Sequence, residues 1–126
     1  MTHIKRDPIE QNLHDSVIDD VVSYINKNKK SYDNIRINKG HSNSYSVKRG
    51  NEESYYPDVF LVKNKIVIEI YEVETNQTIN QDSVSQWKQY SSGQAKFYLV
   101  VPKDKLEEVK ILVKENNIEV DNYLTF

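Results

Sequence analysis

Asp58, Glu72 and Glu74 are the residues of this chain best placed for chemistry. They lie in the segment PDVFLVKNKIVIEIYEVET, residues 57–75, where Lys63-Asn64 separates two apolar runs. Alternate residues of a strand share a face. Along 66–75 one face then carries Ile66, Ile68, Ile70, Glu72 and Glu74, and the other Val67, Glu69, Tyr71, Val73 and Thr75. The first face starts apolar and ends in two carboxylates, the pattern of a strand whose far end opens from the core into a polar site. A tight turn at Lys63-Asn64 makes the preceding strand antiparallel, so Asp58, which opens that strand, approaches Glu72 and Glu74. Carboxylates brought together repel unless they are protonated or share a cation. The cluster therefore predicts a metal site. The alternative is that these acids lie at an exposed strand end and never meet.

The elements that must position the acids are legible on either side. Asp7 can cap a helix, Pro8 suits its first position and Glu10 closes a capping box. Ile9, Leu13, Val17, Val21 and Tyr24/Ile25 follow at helical spacing, so residues 8–29 read as one amphipathic helix. A short strand is expected at 34–38, a loop or irregular hairpin at 40–56, and strands at 58–62 and 65–75. Asp82 or Ser83 then caps a helix through Ser92 that Gly93 stops. Lys96–Val101 is a strand apolar on both faces, as a covered interior strand should be, and Pro102 ends it. Residues 103–116 form a second amphipathic helix through Leu106, Val109, Leu112 and Val113, and 118–126 add a last short strand. This order predicts an α/β fold, with a mixed central sheet flanked by helices on both sides.

Composition narrows the chemistry. The 126 residues make one domain, 1–126, with 37% apolar and 29% charged residues. With no cysteine there is neither a disulfide framework nor a thiolate site. A metal must therefore sit on carboxylates, carbonyls, water or histidine, which points to hard cations such as Mg²⁺, Mn²⁺ or Ca²⁺. No apolar stretch reaches membrane-spanning length and no signal peptide opens the chain, so a cytoplasmic protein is the expectation. The net charge is −2, yet residues 26–49 hold seven Lys/Arg and one acid. That block, including Arg36, Lys39, Lys48 and Arg49, suits a phosphate-binding surface. Alternatively, Lys27, Lys29 and Lys30 merely decorate the exposed end of a helix, where they favour its dipole. His41, Tyr45, Tyr55 and Tyr56 join Lys48 and Arg49 in the 40–56 loop, a mixture that suits phosphate and base contacts or, more blandly, a solvated loop.

Taken together, Glu10 in the first helix, Pro57-Asp58, Glu72-Val73-Glu74 and Gln86-Trp87-Lys88-Gln89-Tyr90 resemble the PD-(D/E)xK nuclease superfamily, which includes restriction endonucleases and archaeal Holliday-junction resolvases. The resemblance covers most of the chain and implies a restriction-endonuclease-like αβββαβ core. It also implies metal-assisted hydrolysis of nucleic acid, with DNA the expected substrate and a homodimer the expected assembly. Asp58, Glu72 and the Val73 carbonyl would hold Mg²⁺ or Mn²⁺. Gln86 and Tyr90, one helical turn apart, would orient the site or touch nucleic acid. Glu10 would hold a metal-bound water, or only cap its helix. The departure is Glu74, which stands where the signature has lysine. It would act as a further ligand or general base, with Lys88 a candidate for the displaced lysine. Two other readings remain: an inactive domain of this fold that binds nucleic acid or a protein, and a structural α/β domain with decorative acids.

Overall fold

The computed structural model describes residues 7–40, 45–47 and 54–126. Helix α1 spans Pro8–Asn28. It starts where expected: the Asp7 carboxylate accepts the Glu10 N–H at 2.8 Å, and proline occupies the first turn. Strands β1 (Asn34–Ile37), β2 (Val59–Lys63) and β3 (Ile66–Val73) follow. Helix α2 (Gln81–Ser91) precedes β4 (Lys96–Val101). A short 3-10 turn at Lys103–Lys105 leads into α3 (Leu106–Glu115), and β5 (Asn122–Thr125) closes the chain's elements.

The strands form one sheet in the order β1-β2-β3-β4-β5. The first three pair antiparallel, whereas β4 lies parallel to β3, and β5 parallel to β4. Parallel neighbours need a crossover connection, and α2 and α3 supply the two that this sheet requires. The fold is thus α/β with a mixed sheet, as the pattern of elements predicts. Two cores cover its faces. On one, Val17, Ile18, Val21 and Ile25 of α1 pack on Val59, Leu61, Tyr71, Val73, Tyr98 and Val100. On the other, residues of α2 and α3, among them Val84, Trp87, Tyr90, Val109 and Val113, pack on Phe60, Ile70, Phe97, Leu99 and Val101. Among the described residues no helix is long and apolar enough to cross a membrane.

Four details differ from the sequence expectation, and each has a local cause. The hairpin turn is centred on Asn64-Lys65 rather than Lys63-Asn64. Both residues have positive φ, 52° and 65°, as a type I′ turn requires, and Lys63 pairs with Ile66. The β2–β3 ladder contains a bulge: Leu61 faces Glu69 but Val62 faces Val67, which leaves Ile68 as the extra residue. Ile68 consequently packs with the α1-side core while Ile70 joins the other, so the expected single face through Ile66, Ile68 and Ile70 is broken at the bulge. Helix α2 is capped by Asn80, whose Oδ1 accepts the N–H groups of Asp82 and Ser83, rather than by those two residues. Finally, the first turns of α1 bury Glu10 and His14, whereas Ile9 and Leu13 are 81% and 42% exposed. The expected apolar stripe holds from Val17 onward but not before it.

Candidate active site

The antiparallel register carries Asp58 to Glu72. Val59 pairs with Tyr71, so Asp58, one residue earlier, stands opposite Glu72. The Asp58 N–H donates to Glu72 Oε1 at 3.1 Å, and the Val73 N–H donates to Asp58 Oδ2 at 2.7 Å. From the other side, the Asn38 N–H donates to the Asp58 carbonyl at 2.9 Å. The sheet therefore fixes Asp58 through main-chain groups of two neighbouring strands.

Helix α1 supplies the next contact. His14 Nε2 lies 3.2 Å from Asp58 Oδ1, and His14 Nδ1 lies 3.6 Å from Asp15 Oδ1. Asp15 Oδ1 also accepts the Gln11 amide and the Gly40 N–H, each at 2.9 Å. Gly40 has φ of 67°, a conformation that favours glycine at the exit from β1. One turn before His14, Glu10 is buried on the same helix face. Its Oε1 has no hydrogen-bond partner among the described residues. Its backbone N–H is capped by Asp7, so capping does not account for where its carboxylate points.

Glu74 comes into the electrostatic range of Glu72, but its oxygens face neutral donors. Thr78 Oγ1 donates to Oε1 at 2.7 Å, and Trp87 Nε1 donates to Oε2 at 2.8 Å. Thr78 is itself fixed, since its Oγ1 accepts the Thr75 N–H at 2.8 Å. Among the described residues no three His, Asp or Glu side chains are arranged to hold one metal ion. The acids instead form a contacting pair, Asp58 and Glu72, with Glu74 tethered beside it.

Burial and charge split the pair. Burial raises the Asp58 carboxyl pKa, but the opposing charge of His14, with hydrogen bonds from His14, Glu72 and Val73, leaves it below the ordinary range. Glu72 goes the other way, held well above the usual carboxylate range by burial and then by the charges of Asp58 and Glu74. The two carboxyl pKa values are thus pushed apart, as expected of two acids sharing a site. His14 offsets the charge of Asp58, while the charges acting on Glu72 are those of Asp58 and Glu74. The Asp58 and Glu72 oxygens are hard donors, of the kind a divalent cation takes.

The remaining sequence candidates fall in different places. Tyr90 is buried between Tyr55, with centroids 5.1 Å apart, and Phe97 at 6.0 Å. Burial, then the charges of Glu72, Asp58 and Glu74, raise its hydroxyl pKa, so it lines the acids from the core. It is not placed to touch nucleic acid, because α2 turns this position onto the sheet. Gln86 on the preceding turn is half-buried. Lys88 is exposed on α2, while its neighbour Trp87 faces Glu74. Lys39 is paired with Asp19 at 2.8 Å. The Arg36 guanidinium lies 4.9 Å from the centroid of the Tyr45 ring. His41, Lys48 and Arg49 lie outside the described residues. The basic helix end is partly bound: Lys29 Nζ is 3.6 Å from Glu69 and 5.1 Å from the Tyr98 ring centroid.

His14 is the residue that sequence reasoning missed. The signal available was its i, i+4 spacing from Glu10 and its i−4 spacing from Ile18, a stripe that runs beside the apolar one. No protein-family model, curated protein or solved structure matches the chain.

Proposed function

We propose that this chain is a divalent-metal-dependent phosphodiester hydrolase of the PD-(D/E)xK kind, acting on nucleic acid. The observation that carries this reading is the contact between Asp58 and Glu72, which lowers the carboxyl pKa of the first and raises that of the second. Nothing in ordinary packing calls for such a pair, whereas a cation-binding site does. The element order α1-β1-β2-β3-α2-β4 supports the same reading, since it follows the αβββαβ arrangement implied by the resemblance. Asp58 and Glu72 are the residues that would hold Mg²⁺ or Mn²⁺, with the Val73 main chain beside them. A bound ion of this kind polarises a phosphate and acidifies a water. His14 orients Asp58 from above the sheet, and Val73 N–H fixes its second oxygen. Glu10 offers a buried acceptor for a water proton. Glu74, braced by Trp87 and Thr78, supplies negative charge where the superfamily has lysine.

Calorimetric titration with Mn²⁺ and Mg²⁺ tests this, run beside incubation with end-labelled DNA and RNA. Wild type is expected to bind a divalent ion and to cleave one of the substrates only when it is present. Asp58→Asn and Glu72→Gln are expected to lose both properties while keeping the wild-type circular dichroism spectrum. Absence of divalent-ion binding at millimolar concentration would falsify the hydrolase reading.

A second reading, a nucleic-acid-binding domain of the same fold without catalysis, is favoured by one observation: both Glu74 oxygens, at the position where the signature has lysine, already have neutral donors. It predicts binding that weakens with salt and no cleavage under any metal.

A further inference from the structure

Three strands present one row of residues beside the acid pair. Arg36 of β1 pairs with Phe60 of β2, which pairs with Ile70 of β3. Glu72 shares the Ile70 side of β3, because alternate positions share a face, and Asn38 and Asp58 flank the adjoining ends of β1 and β2. Arg36 thus lies on the same face as Glu72, toward the β1 edge. Its guanidinium sits over the Tyr45 ring at 4.9 Å, and Tyr45 stays 41% exposed despite that cover.

Tyr45 is held by an unusual fastening. Asn38 is buried, and its side-chain amide donates to the Tyr45 carbonyl at 2.7 Å and to the Pro57 carbonyl at 2.8 Å. Its Oδ1 accepts the Tyr45 N–H at 2.9 Å. Its own backbone N–H donates to the Asp58 carbonyl at 2.9 Å. A single residue therefore fixes the main chain of Asp58 and the main chain of an exposed aromatic. An exposed ring needs no such clamp to stay in water. A ring that must stand at a set offset from a reactive group does, because positioning is what a preorganised site supplies.

We propose that Tyr45 and Arg36 form a stacking platform for one base and an adjacent phosphate of single-stranded nucleic acid, set by Asn38 beside the acid pair. The proposal rests on the hydrolase reading for its location and deepens it by naming the substrate class. A tyrosine face accepts any unpaired base, and guanidinium adds both stacking and a phosphate contact. A base inside a duplex has both faces covered by its neighbours and offers none to Tyr45.

The test uses the full chain carrying Asp58→Asn, so that binding is read without cleavage, and fluorescein-labelled oligo(dT), oligo(U) and a duplex of equal length. Single strands are expected to bind tighter than duplex, and the comparison of oligo(dT) with oligo(U) assigns the sugar. Adding Tyr45→Ala is expected to weaken single-strand binding about tenfold, while Tyr45→Phe stays within about twofold. Adding Arg36→Ala is expected to reduce the slope of log affinity against log salt by about 0.7. The Tyr45 side chain takes no part in the Asn38 bonds, so these variants keep the clamp, and thermal melts verify it. The proposal is overturned if Tyr45→Ala binds as its parent does, if duplex binds as tightly as single strand, or if no oligonucleotide binds. Cleavage by the wild-type chain is scored separately. Tyr45-dependent binding without metal-dependent cleavage keeps the platform and removes the hydrolase, and cleavage indifferent to Tyr45 does the reverse.

Discussion

A carboxyl buried against another carboxyl must keep its proton or find a counter-charge. Asp58 has found one in His14, and Glu72 has not. The consequence for stability has a definite sign. A group whose pKa is higher folded than unfolded stabilises the fold below the ordinary glutamate range, and that contribution is lost as pH rises through the folded value. Glu72 is such a group, so neutral and alkaline pH should penalise the wild type. Glu72→Gln keeps the shape and carries no charge. It is expected to be more stable than wild type at pH 8 by about 1 kcal/mol, or roughly 4 °C in Tm, with the difference shrinking toward pH 4. Thermal melts of both proteins across that range are the measurement. A difference that is constant with pH would show that Glu72 protonation is not its source. Asp58 and Glu72 were readable from sequence because strand alternation and hairpin geometry are local. His14 was not. Helical periodicity says that Glu10, His14 and Ile18 share a stripe, and equally that Ile9, Leu13 and Val17 do. Which stripe is buried depends on what the helix lands on. Over the core it lands on Val59 and Tyr71, and apolar residues turn in. Beyond the core it reaches Asp58, and His14 turns in instead.

The hairpin sets how the acids meet, and its turn is a place where sequence and geometry disagree. Asn64 accepts positive φ readily, whereas Lys65 at φ 65° carries a Cβ into the left-handed region. Type I′ turns favour Asn-Gly for this reason. Lys65→Gly is therefore expected to raise stability by about 0.5–1 kcal/mol, readable as a higher urea midpoint with an unchanged slope. A lower midpoint would mean that the lysine side chain contributes more than its backbone strain costs. The same local logic explains which boundaries were legible. Asp7-Pro8 and Val101-Pro102 are chemically unambiguous stops and starts, and both elements begin or end there. The Ile68 bulge has no such marker, because Ile66–Ile70 contains no glycine or proline and Ile68 sits between apolar Val67 and a Glu69 that fits simple alternation. Only pairing with β2 reveals the extra residue, and pairing is not a property of one strand.

At the scale of the molecule, two cores lean on one sheet, and the sheet cannot keep either face without the other. Tyr71 and Val73 of β3 serve the α1 side while Ile70 serves the α2 and α3 side. Consecutive residues of β4, Phe97 and Tyr98, divide in the same way. Losing α1 would expose half of every strand that α2 and α3 cover from behind. Unfolding is therefore expected to be a single cooperative event rather than two. The chain reports on this conveniently, since its one tryptophan, Trp87, sits in the α2-side core. Ile25 is fully buried in the other core, on the opposite face of the sheet. Ile25→Ala is expected to cost about 2–5 kcal/mol by leaving a cavity under α1. The tryptophan fluorescence transition should move down with the far-ultraviolet circular dichroism transition and remain coincident with it. If fluorescence held its wild-type midpoint while helicity fell earlier, α1 would be a separable unit. The contact between His14 and Asp58 would then open independently of the sheet that carries Glu72.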